Sequence, residues 1–546
     1  MSKYMKILST VNDILRGMMP EPTQHNRRED YELERLCNIV QQLEELSDHQ
    51  KLYYKSNKIG NEMGSLHILV NDENAEGVPA QVKIFPLESD KSNNVPSNPK
   101  NEVNFIREIT DWKGRLNTVL PAGNYKIEIS KGSEYEINVV QLHIKPNQTS
   151  QLTKILIPML NLQSEGWYSG DLHHHSIYSS PVYGGTDSVI ETPAQVCQSM
   201  VAMGASYGAL SDHHNTLNHK EWAALKCDSF LPILSKEIST SNGHVMALGV
   251  EEDIIYRIPE NENRTDAYLR KEFIRITDEI KGLGGLPQIN HPRDRSRSIS
   301  WNKEYEDMIQ IFETMEIWNG SNPMMKGTTN YEAFLLWQKL LEEGRYIPAT
   351  AGSDTHNIRA NDYHEYMNKF LWLTELITSG KLLLPLELKE EVGSFILWSA
   401  KIMPLLKKWV ENLTSACVRT YVHVKGEVTR EKVLDSLKHG HSFLTNGPVL
   451  IPEIEGRLPG ETLTRTADYV NISLKLLANR PLTKLTICID GDRTINYTLE
   501  TMDTIQGKYD YSRIIRDFHI KDVKWIFFIA EDDCTNMAIT NPIFFK

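Results

Sequence analysis

The segment Gly170-Asp171-Leu172-His173-His174-His175-Ser176 decides how the middle of this chain is interpreted. An apolar stretch precedes it, so the segment is predicted to end a β-strand. On a strand, side chains two residues apart point to the same face, which places His173 beside His175. Two imidazoles on one face can bind one metal ion. Taken alone, the motif is equally consistent with a histidine-rich turn that binds no metal.

The same arrangement recurs downstream, because further strand-like apolar segments end in residue types that bind metals. These segment ends lie at 211–215, 236–240, 243–248, 290–292, 315–319 and 352–356. Nine of the 18 histidines fall between positions 171 and 356. A solvated surface gives no reason for this recurrence, whereas a site built from the strand ends of one barrel does.

Composition indicates a globular protein of several domains. The chain has 546 residues, 40% of them hydrophobic, which supports ordinary apolar cores. Its 59 basic and 72 acidic residues give a net charge of −13, so we expect no nucleic-acid binding through bulk charge. The six cysteines form no CxxC motif, which indicates a reducing compartment and a cytoplasmic protein. Neither a signal peptide nor a membrane-spanning segment is predicted.

Changes in periodicity divide the chain into four predicted parts. Residues 1–54 carry apolar positions at helical spacing and are predicted to be a helical segment that packs or forms a homo-oligomer. Residues 55–160 alternate with period two, which predicts a β-sandwich. Residues 161–448 predict an α/β barrel with helices at 192–203, 265–281 and 331–343 and a helical insertion at about 371–412. Residues 449–546 predict a second β-sandwich.

With these motifs in order, residues 161–448 resemble the PHP (polymerase and histidinol phosphatase) family. The lead-in at 166–169 and the tail at 442–448 are similar to its CehA/McbA-type metallohydrolase branch. The resemblance covers about half of the chain, and six motifs in order make it specific. It implies a distorted (β/α)7 barrel with a metal cluster at the carboxyl ends of its strands, here flanked by the two β-sandwich domains.

Carried over position by position, the resemblance implies ligands for two or three divalent ions. The implied ligands are His173, His175 and Asp354 for the first ion, Glu237 as a bridge with His244 and His291 for the second, and His213 with His356 for the third. Many relatives add an Asp shortly after the histidine pair, but here the next acid is Asp187. The sequence therefore predicts two ions and leaves the third open.

Imidazole and carboxylate donors without a thiolate suit Zn²⁺, Mn²⁺ or Fe²⁺. A bridging carboxylate such as Glu237 holds two cations close together, and they lower the pKa of a water bound between them. Asp171 and Asp212 either orient the imidazoles or cap strand ends. Asp212 is one of four predicted catalytic residues, with Glu237, Arg293 and His219. His174 points away from its neighbours and is predicted to be packed or exposed rather than a ligand.

Four further residues are candidates for contact with the substrate. Arg293 either clamps a phosphate group or belongs to a solvated loop, and Arg359 has the same two interpretations. His219 and Tyr178 are candidate proton donors to a leaving group.

The favoured function is a metal-dependent hydrolase of a small-molecule ester, with a phosphoester as the default substrate because most of the family cleaves phosphate. Hydrolysis of a carboxylic or carbamic ester is the alternative that the CehA/McbA resemblance raises. A non-catalytic module with structural metals is a second alternative, although degenerate barrels lose ligands and this chain keeps a nearly full set. Nucleic-acid processing, suggested by polymerase-associated relatives, disagrees with the acidic balance.

Overall fold

The computed structural model describes residues 63–87, 105–359 and 412–546, with short gaps at 186, 188, 241, 258–264, 295–298, 321–323, 327, 492, 500–503 and 506–507. The helices predicted at 1–54, the oligomer contact assigned to them, and nearly all of the insertion predicted at 371–412 lie outside these residues. Within the described part of the chain there are 27 β-strands and five α-helices. The fold is therefore mainly β.

Two sheets with one shared core form the part of the chain before residue 160. Their strand orders are β4-β1-β7 and β3-β2-β5-β6. The bounds are β1 Met63–Asn71, β2 Gln81–Leu87, β3 Ile106–Ile109, β4 Arg115–Pro121, β5 Gly123–Ser130, β6 Asn138–Ile144 and β7 Thr149–Ile155. Alternate residues of β1, such as Leu66 and Ile68, are buried in one cluster with Ile127 and Ile129 of β5. This is the period-two burial of a β-sandwich.

A large curled sheet carries the strand ends that bear the predicted metal ligands. Its order is β14-β13-β12-β11-β10-β9-β8-β15-β16, and it continues through β26 and β25 to β20 and β21. The bounds of the first nine are β8 Trp167–Asp171, β9 Tyr207–Leu210, β10 Leu231–Thr240, β11 Gly243–Leu248, β12 Leu286–Ile289, β13 Thr314–Asn319, β14 Ala349–Gly352, β15 Arg419–His423 and β16 Ser442–Thr445.

The expected (β/α)7 barrel is wrong, because these strands form a curled half-barrel and not a ring of alternating strands and helices. Strand β11 runs antiparallel to both β10 and β12. A parallel neighbour needs a crossover of a dozen or more residues, and the short turn between Thr240 and Gly243 cannot supply one. On the other side, β16 pairs with β26, so the sheet continues across position 448 into the C-terminal strands.

Five α-helices accompany the curled sheet. They are α1 Pro193–Ala202, α2 His219–Ala223, α3 Asp266–Gly282, α4 Thr329–Glu342 and α5 Arg430–His439. Helix α1 begins at a reciprocal capping box between Thr192 and Gln195, with Pro193 in the first helical position. Its buried face, which includes Met200, packs with Phe230 before β10. Among the described helices, none is both long and apolar enough to cross a lipid bilayer.

The C-terminal strands form a second layer over the end of the curled sheet. Strand β19 pairs with β17, β23 and β24, and the buried residues of this layer share a core with Ile487 and Phe528 of the curled sheet. The bounds are β17 Val449–Ile454, β18 Thr462–Leu463, β19 Tyr469–Ala478, β20 Leu482–Ile489, β21 Arg493–Thr498, β22 Thr504–Ile505, β23 Lys508–Asp510, β24 Arg513–His519, β25 Trp525–Asp532, β26 Met537–Thr540 and β27 Ile543–Phe545. The domain boundaries proposed from periodicity remain predictions.

Candidate metal centre

The structure brings all eight predicted metal ligands together at one side of the curled sheet, and adds Asp187. Their donor atoms form four groups, in each of which the atoms lie within 4.8 Å of one another. The groups are His173, His175 and Asp354; His173, Glu237 and His291; His213, Glu237 and His244; and His175, Asp187, His213 and His356. Four residues belong to two groups each, so the groups are adjacent parts of one cluster.

His173 and His175 follow β8 and are fully buried. Their Nε2 atoms lie 3.3 Å apart, and Asp354 Oδ1 lies 3.3 Å from the first and 3.1 Å from the second. On the far side of the rings, His173 Nδ1 lies 3.0 Å from Glu316 Oε1, and His175 Nδ1 lies 3.0 Å from Ser179 Oγ. A carboxylate only accepts hydrogen bonds, so Glu316 keeps the proton of His173 on Nδ1. The Nε2 lone pair of His173 is thereby directed into the cluster.

Glu237, on β10, lies at the centre of the cluster and is nearly fully buried. Its Oε2 lies 3.4 Å from His173 Nε2 and 3.2 Å from His213 Nδ1. Its Oε1 lies 3.1 Å from both His244 Nδ1 and His291 Nε2. The two oxygens of one carboxylate therefore face different imidazoles, which is the arrangement that lets a carboxylate bridge two cations.

Asp187 is the ligand candidate that the sequence analysis left out. Its Oδ2 lies 3.1 Å from His213 Nε2 and 3.4 Å from His356 Nε2. The chain reaches this position through a loop of two short 3-10 helices, Ile177–Ser179 and Pro181–Tyr183. Asp187 thus adds a carboxylate to the donor group formed with His175, His213 and His356.

The charges of the cluster shift its pKa values strongly. Burial raises the pKa of Glu237, but the positive charges of the surrounding imidazoles, His173 foremost, together outweigh burial and hold that pKa well below its usual range. Burial lowers the pKa of His291, but its hydrogen bond with Glu237 and the charges of the surrounding carboxylates together outweigh burial and raise that pKa to about 9. The pKa of His356 is likewise lowered by burial and raised to about 9 by the bond with Asp187. Buried carboxylates here hold positive charge on their neighbours, as protons when no metal ion is bound.

Two residues of the cluster have left-handed backbone conformations that non-glycine residues seldom adopt. The φ angle is 25° at His291 and 48° at Asp354. Hydrogen bonds hold both positions, because Asp354 N donates to His173 O at 2.7 Å and His291 N donates to Glu316 Oε2 at 2.9 Å. Such strain persists only where surrounding contacts determine the conformation, so the cluster is preorganised.

Asp212, a predicted catalytic residue, does not reach the donor groups. Its carboxylate accepts from Ser176 N and Oγ, both at 2.6 Å, from Ser179 Oγ at 2.7 Å, and from Asn218 Nδ2. Because Ser179 also accepts from His175 Nδ1, Asp212 orients that imidazole indirectly. The two interpretations of Asp212 therefore combine: it caps a strand end and supports a ligand through a serine. Its catalytic role stays a prediction.

Asp171 caps the end of its own strand. It accepts from Ser353 N at 2.8 Å, Ser353 Oγ at 2.6 Å and Ala416 N at 2.7 Å. These bonds tie the end of β8 to the loop that carries Asp354. His174 is packed, as predicted, with its ring nitrogens 2.8 Å from His175 O and from Ser415 Oγ.

The predicted substrate contacts are turned toward other partners. Arg293 pairs with Glu306, and Arg359 Nε donates to Glu108 at 2.8 Å. The ring nitrogens of His219 lie 3.1 Å from Glu251 O and 3.0 Å from Ser235 O. None of these three side chains is part of the four donor groups. Their roles in catalysis stay predictions that these contacts do not support.

Tyr178 has a carboxylate partner near the cluster, since its hydroxyl donates to Glu221 Oε2 at 3.3 Å. Glu316 and Asn319, in the segment end at 315–319 that the sequence analysis singled out, both support ligands. Asn319 Nδ2 donates to Asp354 Oδ2 and to Glu316 Oε2, at 3.1 Å each. A carboxylate or amide two or three residues inside a strand end was the available signal for such supports.

Comparison with known proteins leaves the family open. No family model and no curated protein matches the chain. A putative metal-dependent phosphoesterase from Bifidobacterium adolescentis is 14% identical with a TM-score of 0.25, covering 34% of this chain and 87% of that one. An amidohydrolase from Chromobacterium violaceum is 18% identical with a TM-score of 0.24, covering 34% and 87%.

The Bacillus anthracis TIE protein is 17% identical with a TM-score of 0.14, and the match covers 24% of this chain and only 20% of that protein. TM-scores this low establish no common fold. Membership of the PHP family and of its CehA/McbA-type branch therefore stays a prediction, and the function has to be argued from the geometry of the cluster.

Proposed function

We propose that the protein is a metal-dependent hydrolase that cleaves a phosphoester. One observation carries the proposal: the two oxygens of Glu237 face separate imidazole sets, with His173 and His213 on one side and His244 and His291 on the other. A site for a single ion would not need one carboxylate shared between two sets of imidazoles. Shared carboxylates are typical of centres that hold neighbouring ions for hydrolysis.

Divalent ions fit the chemistry of these residues. Every donor is an imidazole nitrogen or a carboxylate oxygen, a set that suits Zn²⁺, Mn²⁺ or Fe²⁺. Glu237 is 1% exposed, and a carboxylate so buried requires positive charge beside it. Two or three ions held there would lower the pKa of a bound water and take up negative charge on the substrate.

The described residues hold the donors in place and leave part of the cluster exposed. Glu316 and Ser179 fix the rings of His173 and His175, which are fully buried. The side chains of Asp354 and His356 are 23% and 30% exposed. The substrate therefore approaches from the side of the cluster formed by the loop after β14.

The choice of a phosphoester follows from the charge of the cluster. Ions held in the four adjacent donor groups would concentrate positive charge around a tetrahedral anion, as in two-metal phosphatases. The pairing of Arg293 with Glu306 and of Arg359 with Glu108 favours a second candidate, a neutral carboxylic or carbamic ester, because both guanidinium groups are already engaged.

The test begins with protein stripped of metal by a chelator and reloaded with Zn²⁺, Mn²⁺ or Fe²⁺ singly. We expect p-nitrophenyl phosphate to be hydrolysed in the presence of at least one ion and not in the chelator. His173→Ala and Glu237→Ala should abolish turnover while the protein remains folded by circular dichroism. The matched control is Glu272→Gln, a buried glutamate on α3 whose partner is Arg275 at 2.6 Å.

Full activity in both alanine variants would disprove the assignment of the site. Activity on an aryl acetate or an aryl carbamate, with none on the phosphate, would establish the second candidate instead. Ions that bind without turnover of any of these esters would identify a non-catalytic metal module.

A further inference from the structure

Beneath Glu237, buried polar side chains form a continuous chain of hydrogen bonds inside the curled sheet. Asn290 Nδ2 donates to Glu237 Oε1 at 2.7 Å, and Gln288 Nε2 donates to Asn290 Oδ1 at 3.0 Å. Gln288 Oε1 accepts from the hydroxyl groups of Thr314 at 3.1 Å and Thr350 at 2.7 Å. All of these side chains are at most 1% exposed, so water does not compete with the bonds.

Strand geometry places these residues in one layer. Gln288 on β12 and Asn290 just after it are two residues apart, so both side chains point to the same face. Thr314 on β13 is the direct neighbour of Gln288 in the parallel pair, and Thr350 on β14 is the neighbour of Glu316. Three successive strands therefore contribute side chains to a series of hydrogen bonds that ends at the carboxylate of Glu237 on β10.

The direction of every bond in the chain follows from Glu237. A carboxylate only accepts, so Asn290 has to present its NH₂ group to Glu237 and its oxygen to Gln288. That oxygen needs a donor, so Gln288 presents its NH₂ group, and its own oxygen then accepts from the two threonines. One orientation of both amides satisfies all of the groups: turning Asn290 over would break both of its bonds, and turning Gln288 over would set its oxygen against that of Asn290.

We propose that Gln288 is a positioning residue for Glu237, acting through Asn290. The proposal rests on the proposed function, in which Glu237 bridges two ions. Gln288 locks the amide of Asn290, and the locked amide occupies one lone pair of Glu237 Oε1 from below. The remaining lone pairs of Glu237 are then directed toward the imidazoles. A hydrophobic residue would fill the same space in the core, but the buried oxygen of Asn290 would lose its donor, and the amide would no longer be held in place beneath the carboxylate.

The main test compares Gln288→Met with the unmodified protein, both stripped of metal and titrated with Mn²⁺ by calorimetry. Methionine has a similar shape and neither donates to Asn290 nor accepts from Thr350. We expect Mn²⁺ affinity to fall about 10- to 100-fold, as for other groups that support metal ligands. The Mn²⁺ concentration needed for half-maximal hydrolysis of p-nitrophenyl phosphate should rise in parallel. At saturating Mn²⁺ the KM for that substrate should not change.

A second pair of variants separates the hydrogen bond from packing. Thr350→Val removes one donor to Gln288 and should weaken Mn²⁺ binding, whereas Thr350→Ser keeps the hydroxyl and should restore it. Thr420→Val is the matched control, because Thr420 is equally buried but its hydroxyl bonds the backbone of Ala351. Thermal unfolding of the metal-free proteins identifies any variant that loses its fold.

Mn²⁺ affinity unchanged in folded Gln288→Met would overturn the proposal. If Gln288→Met does not fold, the threonine pair decides, and equal affinity in Thr350→Val and Thr350→Ser overturns it. These outcomes differ from failure of the proposed function, in which the unmodified protein itself neither binds Mn²⁺ nor hydrolyses an ester.

Discussion

Replacing Glu316 with glutamine should change which nitrogen of His173 carries the proton. Glu316 is fully buried and accepts three hydrogen bonds. Its Oε1 faces His173 Nδ1 at 3.0 Å, and its Oε2 accepts from His291 N at 2.9 Å and from Asn319 Nδ2 at 3.1 Å. Glutamine has the same size, but one of its two terminal atoms is a donor. An NH₂ group at the Oε2 position would meet two donors, so it should take the Oε1 position.

The NH₂ group then faces His173 Nδ1, and the imidazole avoids this clash by moving its proton to Nε2. A protonated Nε2 has no lone pair for a metal ion, so binding requires the unfavourable tautomer. A hydrogen bond to a charged group contributes about 1.5–3 kcal/mol. Loss of that contribution corresponds to a decrease of about 10- to 150-fold in metal affinity.

The assay is competition for Zn²⁺ between the protein and a chromophoric chelator of known affinity. Glu316→Gln should release its most tightly bound ion to the chelator, whereas Glu272→Gln, a buried glutamate on α3, should behave as the unmodified protein does. Thermal unfolding in excess chelator should show that Glu316→Gln is folded. The reasoning about the tautomer is refuted if the folded variant holds Zn²⁺ within threefold of the unmodified affinity.

Three further predictions concern the edges of the cluster. Asp187→Asn should reduce the number of bound ions per chain by one, measured by elemental analysis, and an unchanged count would remove Asp187 from the ligands. In chelator, the thermal midpoint should fall as pH rises from 6.5 through 9, because the folded protein raises the pKa values of His291 and His356 from the usual 6.5 to about 9. A midpoint that rises over this range contradicts the assignment. Gly352→Ala should weaken Zn²⁺ binding without replacing a ligand, since its Cβ would lie 2.4 Å from the Cβ of the ligand His173 and displace it. Equal affinity in calorimetry would contradict that reasoning.

The strand ends were predictable from the sequence because burial and metal binding leave a local pattern. An apolar run followed by a histidine or an acid marks β8, β9, β10, β12 and β14, and the structure has strands at each of these positions. The helices predicted at 192–203 and 265–281 also occur, as Pro193–Ala202 and Asp266–Gly282. The spacing of apolar residues shows which face of a helix or strand is buried. These strands and helices each have one or two buried faces, so their positions could be predicted.

Strand direction and sheet closure leave no such pattern. The turn between β10 and β11 is too short for a crossover, and this was readable in the segment from Thr240 to Gly243. The pairing of β16 with β26 joins residues nearly a hundred positions apart, and nothing in either strand specifies the other. The family resemblance supplied a closed barrel in place of that missing information, and this was the error.

Asp187 is the donor that the sequence analysis did not count among the ligands, and the loop that carries it shows why. The pairing register of neighbouring strands fixes where a ligand at a strand end lies. Asp187 lies instead in a loop, and the path of a loop depends on which residues form its turns. Gly185 N donates to Ser180 O at 3.0 Å and Asp187 N to Ser179 O at 3.1 Å, so the loop folds back on itself. A Cβ at Gly185 would lie 1.9 Å from Ser179 O, so only glycine permits this path. The pair Gly184-Gly185, shortly before Asp187, was therefore a readable signal. It indicates a loop that folds back and brings a carboxylate close to the end of the preceding strand, β8.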